Sequence, residues 1–107
     1  MKKIVSLGEV LMRLSPPAYE RFLQAQNFDI NYGGAEANVA LGLSNLGYDS
    51  HFITKVPDNS IGESAINHLR QYGVNTDNVI FGGDRLGLYF LEKGSSVRAS
   101  NVIYDRA

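Results

Sequence analysis

The 107-residue sequence contains no cysteine. That absence excludes a disulfide framework, a thiolate metal site and a cysteine nucleophile, and nothing ties folding to an oxidising compartment. An excess of one charge is also missing. Ten Lys and Arg against eleven Asp and Glu leave a net charge of -1, so neither a nucleic acid nor an anionic membrane is an expected partner. No apolar run approaches the roughly 18 residues needed to cross a bilayer, and there is no Asn-x-Ser/Thr sequon, internal repeat or low-complexity tract. Met1-Lys2-Lys3 has the basic opening of a signal peptide, but the apolar run that follows stops at Gly8-Glu9 and reads as a buried strand. A cytoplasmic location is expected.

What is present, 44% hydrophobic and 20% charged residues with 11 glycines, is the composition of one soluble globular unit too small for two full domains. Ile4 to Leu7 suits a central strand of a parallel sheet whose carboxyl end opens into a site. From Val10 to Leu14 the alternation is rough, Pro16-Pro17 breaks any regular element, and Phe22 to Tyr32 suits extended segments with turns. Ala35 to Leu46 is a helix, stopped at Gly47. Asp49 to Lys55 is a second buried strand, so strand, helix and strand form a crossover unit, with the loop Val56-Pro57-Asp58-Asn59 after it. Ser60 and Glu63 have capping-box spacing, and Ile61, Ala65, Leu69 and Tyr72 share a face of the helix that follows. Val79 to Phe81 is a short strand. Leu86 to Glu92 and Val97 to Tyr104 form a hairpin about Lys93-Gly94-Ser95-Ser96.

The richest stretch is Gly33-Gly34-Ala35-Glu36-Ala37-Asn38, continuing to Leu46-Gly47. Two glycines at a helix start leave backbone N–H groups open to a polar ligand at the positive end of the helix dipole. Asn38, one turn beyond Gly34, has an amide that can donate and accept towards the same ligand. A tight turn into a closely packed helix explains the same residues without a ligand. His51 and His68 lack partners at metal spacing and read as structural. Gly82-Gly83-Asp84-Arg85-Leu86-Gly87 lacks the Lys-Ser/Thr of a P-loop.

The Gly-Gly pair, the Asn four places after its second member and the closing Leu-Gly resemble the first signature of the ribokinase-like (PfkB) carbohydrate kinases. Val56 to Glu63 resembles the acidic, Gly-containing loop that follows it. Within the family the chain is most similar to 2-keto-3-deoxygluconate kinases, through Gly8-Glu9-Val10-Leu11-Met12-Arg13, Tyr89 and Tyr104-Asp105-Arg106-Ala107. The resemblance implies an α/β fold: the first crossover units of a mostly parallel sheet plus a small antiparallel β lid, from segments at about 10–33 and 86–106. Such a lid often pairs with that of a second subunit, so a homo-oligomer is implied. The implied substrate-binding residues are Gly33, Gly34, Asn38, Tyr89, Tyr104 and Arg106, and the implied ligand is a small sugar acid.

Physical reasoning supports the acid independently. Tyr104 and Arg106, two apart in a strand, project from one face, and an Arg fork matches a carboxylate. Tyr89, on the facing hairpin strand, adds a phenol donor. A half-buried sheet decorated with tyrosines and a solvated Arg106 is the other reading. Leu11 could line the pocket by family analogy or belong to the core, Glu9 could meet a hydroxyl or water, and Asp58 and Glu63 could lie near the sugar or serve as turn and cap. The family's second signature, Asp-Thr-x-Gly-Ala-Gly-Asp, carries the catalytic aspartate and the anion hole, and it is absent. No catalytic residue is therefore assigned, ATP and Mg belong to the whole enzyme, which would phosphorylate 2-keto-3-deoxygluconate, and the chain reads as a kinase fragment that binds no cofactor alone; a fructokinase- or ribokinase-type sugar kinase and a non-catalytic sugar-binding or association module are the other readings. A sheet cut after its first strands would expose edges that favour association.

Overall fold

The computed structural model describes residues 2–94 and 98–106. Strand β1 (Lys3–Leu7) pairs in parallel with β4 (Asp49–Ile53), from Lys3 opposite Asp49 to Leu7 opposite Ile53. Helix α1 (Ala35–Asn45) packs on this pair. Ala37 and Ala40, both fully buried, let its backbone approach closely, and the buried Ser50 hydroxyl donates to the Ala40 carbonyl at 2.8 Å. The helix ends at Gly47, whose φ of +92° is the left-handed conformation expected of a glycine stop.

The chain continues through β5 (Lys55–Val56), helix α2 (Ser60–Gln71) and β6 (Ile80–Phe81), which pairs in parallel with β5. Lys55 and Val56, expected in part to be loop, thus form a short second parallel pair. Phe52, Val56, Ala65, Ile66, Leu69 and Val74 make the core, joined by Val10, Met12 and Leu86 from the base of a second sheet. That sheet has the order β3-β2-β7-β8, built from β2 (Leu11–Ser15), β3 (Asp29–Gly33), β7 (Leu88–Glu92) and β8 (Asn101–Asp105).

Three expectations need correction. The lid sheet is mixed, because β2 and β7 run parallel while β2–β3 and β7–β8 are antiparallel. Parallel neighbours require a long crossover, and here the core elements between β3 and β7 provide it. Helix α2 is capped one residue earlier than the spacing predicts: Asn59 Oδ1 accepts from the Gly62 amide at 3.0 Å. Its buried stripe is Gly62, Ala65, Ile66 and Leu69, leaving Ile61 and Tyr72 nearly half exposed. Gly62 turns inward because its missing side chain admits the Pro57 carbonyl, so the contact face rotates by one position. In the lid hairpin, β8 begins at Asn101, and the expected turn residues Ser95 and Ser96, with Val97, lie outside the described residues.

The cap position is testable by equilibrium unfolding. Asn59→Ala is expected to cost about 1 kcal/mol, whereas Ser60→Ala should stay within about 0.5 kcal/mol. The reverse order would restore the Ser60 cap.

Candidate functional site

Side chains alternate across a strand, so the register of the lid defines two faces. Asn31, Arg13, Tyr89 and Tyr104 form one row across β3, β2, β7 and β8. On the opposite face Met12, Leu14 and Leu88 pack into or against the core. The rough alternation in β2 thus resolves into a core face and a face on which Arg13 stands between the buried Leu11 and Ser15.

The row meets the start of α1 at Gly33. A β-carbon placed on Gly33 would lie 2.9 Å from the Tyr89 hydroxyl and 3.8 Å from Asn38 Oδ1. Backbone, phenol and amide therefore converge on one spot, where a side chain at residue 33 would intrude. Gly34 adopts φ +134°, and a β-carbon there would stand 2.6 Å from the Glu9 carbonyl oxygen. Both its conformation and its clearance demand glycine. The α1 N-terminus has no side-chain cap.

Tyr89 and Tyr104 are direct cross-strand partners, their rings stacked at 5.6 Å between centroids and 27° between planes. The Arg106 guanidinium lies 4.8 Å from the centroid of the Tyr104 ring, a cation–π placement. Its Nη1 is 3.6 Å from Glu9 Oε1 in a pair more than half exposed on both sides. Arg85 secures this strand end, donating to Asp105 Oδ1 at 2.8 Å and to the Arg106 carbonyl at 3.2 Å.

The structure thus brings together Gly33, Asn38 and Tyr89, and stacks Tyr104 and Arg106 onto that group. Arg106 also borders a cleft of about 540 Å³ that includes Glu9, Lys55, Gly83 and Arg85 but none of Gly33, Asn38, Tyr89 or Tyr104. Leu11 is buried opposite Gly33. Asp58 is exposed in the turn before α2, and Glu63 lies in that helix's first turn. His51 contacts Asp49 at 3.0 Å. His68 packs between the Tyr32 and Tyr72 rings, and burial lowers its pKa, which suits a neutral structural imidazole. Among the described residues no cluster of three metal-ligating side chains occurs.

Sequence reasoning missed Arg13 and Arg85 and left Glu9 open. The signal for Arg13 arises from its ladder pairing with Tyr89 rather than from any spacing along the chain. That for Arg85 arises only from packing of the β6–β7 connection against the end of β8.

Comparison with known proteins places the chain in a family. The whole chain, residues 1–107, matches the pfkB family of carbohydrate kinases, and it belongs to that family. A 2-dehydro-3-deoxygalactonokinase of Haloferax volcanii is 39% identical over 98% of this chain and 33% of its own length. The crystal structure of a 2-dehydro-3-deoxygluconokinase from Thermotoga maritima superposes with a TM-score of 0.98 at 52% identity, over all of this chain and 33% of that one. A sugar kinase of Pyrococcus horikoshii in complex with ATP superposes with a TM-score of 0.83 at 29% identity, covering 94% of this chain and 33% of that one. The chain therefore spans about a third of the length of the relatives it matches.

The convergence at Gly33 is testable. Gly33→Ala introduces a methyl group beside the Tyr89 hydroxyl without a left-handed backbone to strain, so the thermal midpoint should fall by only a few degrees while the KM for sugar in the whole protein rises at least several-fold. An unchanged KM would remove this spot from the site.

Proposed function

We propose that the whole protein transfers a phosphoryl group from ATP to 2-keto-3-deoxygluconate, and that this chain supplies much of the sugar-binding surface. The observation that carries the reading is the Arg106 guanidinium, laid over Tyr104, the ring partner of Tyr89, and held among the described residues by a loose, exposed pair with Glu9. Such a pair is worth at most about 1 kcal/mol, so a substrate carboxylate can take the fork in its place. Relatives named for deoxy keto-sugar acids support that choice of anion.

The chain's own residues orient rather than react. Gly33 and Gly34 let the sugar reach the α1 backbone amides, Asn38 pairs with a hydroxyl or carbonyl oxygen, and the two tyrosines add phenol donors and shield the site from water. ATP, with Mg as its usual partner, supplies the phosphoryl group. The glycines at 82–83 and 87 precede no Lys-Ser/Thr pair, so no P-loop is assigned to them. Deprotonation of the sugar hydroxyl is accordingly assigned to residues beyond the third of the relatives' length spanned here.

Pairing of two lids belongs to the same proposal. On the face that carries Met12 and Leu88, Phe22 and Phe28 meet the edges of Phe90 beside the half-exposed Ile103, leaving an apolar hollow. A second lid of the same composition would cover it. Ile103→Glu is expected to shift the whole protein from dimer to monomer in sedimentation, and an unchanged oligomer would exclude this face.

Substitution of Arg106 tests the choice of substrate. Arg106→Ala in the whole protein should raise the KM for 2-keto-3-deoxygluconate roughly tenfold or more, the size of one charge-assisted hydrogen bond, with little effect on phosphorylation of fructose. Unchanged affinity for the acid would sink the carboxylate role and favour a fructokinase- or ribokinase-type activity.

A further inference from the structure

Among the described residues, Arg13 is a lid guanidinium that no carboxylate holds. Its Nε is buried and has no hydrogen-bond partner. None of the three ion pairs among the described residues includes it. Of the carboxylates around β2, Asp29 is opposite Ser15, two residue pairs further along the ladder, and Glu92 accepts from the Phe22 amide. A buried donor without a partner costs about 1–3 kcal/mol, so a ligand that brings an acceptor to it is favoured, and for a guanidinium an anion most of all.

Its position says which anion. The register puts Arg13 directly beside Tyr89, on the flank away from Tyr104, and Tyr89 is the residue whose hydroxyl reaches Gly33. Two strand spacings, about 10 Å, separate the β2 and β8 backbones. Two long arginine side chains, Arg13 from β2 and Arg106 from the end of β8, can therefore converge on one small molecule lying over the tyrosines. We propose that Arg13 is a second charge-reading residue of the sugar-acid site, binding the 2-oxo-acid end of the substrate from the side opposite Arg106. The inference rests on the sugar-acid kinase reading and adds a specificity residue to it. Two cations flanking the tyrosine pair would select an oxo acid over a neutral ketose more sharply than one.

The test uses the whole protein with Arg13→Ala, Arg13→Gln and Arg13→Lys, measuring kcat, the KM for 2-keto-3-deoxygluconate, the KM for ATP and the thermal midpoint. The expected result is a tenfold to hundredfold rise in the sugar-acid KM for Ala and Gln, partial recovery with Lys, and a kcat and ATP KM within a factor of two of the unsubstituted protein. Loss of the midpoint together with all kinetic constants in Ala and Gln alike would assign Arg13 to folding and overturn the proposal. So would a sugar-acid KM that does not move, or one that moves only as the oligomer dissociates in sedimentation. An unsubstituted protein that phosphorylates no sugar acid would instead defeat the underlying reading, and this inference with it. Activity on the acid with an unmoved Arg13→Ala KM defeats the inference alone.

Discussion

The end of β1 and the start of α1 meet across a gap that only glycine can fill, and the geometry of the site follows from that contact. A β-carbon on Gly34 would press on the Glu9 carbonyl, and one on Gly8 would lie 2.7 Å from the Glu36 Cβ. Three glycines, at 8, 33 and 34, thus fix how closely the helix, the first strand and the lid approach one another. Had any carried a side chain, the α1 amides would stand back from Tyr89, and backbone, phenol and Asn38 would no longer address one ligand.

From that junction the lid acquires its division of labour. Its core face is tied down by Met12, with Leu14 and Leu88 packed against the core, so the other face is presented in a fixed register. A slip of one residue in β2 would exchange Arg13 for Met12 or Leu14 on that face and bury a charge. Packing of the apolar half therefore specifies the placement of the polar half. The lid's chemistry is as rigid as the contacts beneath it.

Much of this was legible in the sequence where a residue type has one dominant use. Glycine pairs, helix stops at Gly47 and Gly73, and the two-residue spacing of Tyr104 and Arg106 are local signals, and the structure places both stops at positive φ. What escaped depends on relations between distant segments. The parallel pairing of β2 with β7 joins strands separated by both helices, which no local pattern encodes. The cap of α2 moved to Asn59 because the Pro57 carbonyl settles against Gly62, a contact that outweighs the spacing of Ser60 and Glu63. Arg13, visible in the sequence only as the last residue of the motif at 8–13, received no role there because its meaning lies in its neighbour across the ladder, Tyr89, rather than in its neighbours along the chain.

The parallel pair at the heart of the fold shows how a site and its scaffold share one problem. Among the described residues β1 is paired along one edge only, with Val5 52% and Leu7 72% exposed. Parallel strands are ordinarily buried on both faces and paired on both edges. An open edge of unpaired backbone groups beside an exposed apolar face favours association with further strands and cover for that face. The relatives, about three times as long, have the chain length to supply such strands. Glu9, Gly33 and Gly34 stand at or beside the carboxyl end of this strand. Strands that completed the sheet beside β1 would therefore be neighbours of that junction, so the contacts that remove the open edge would also bound the candidate site.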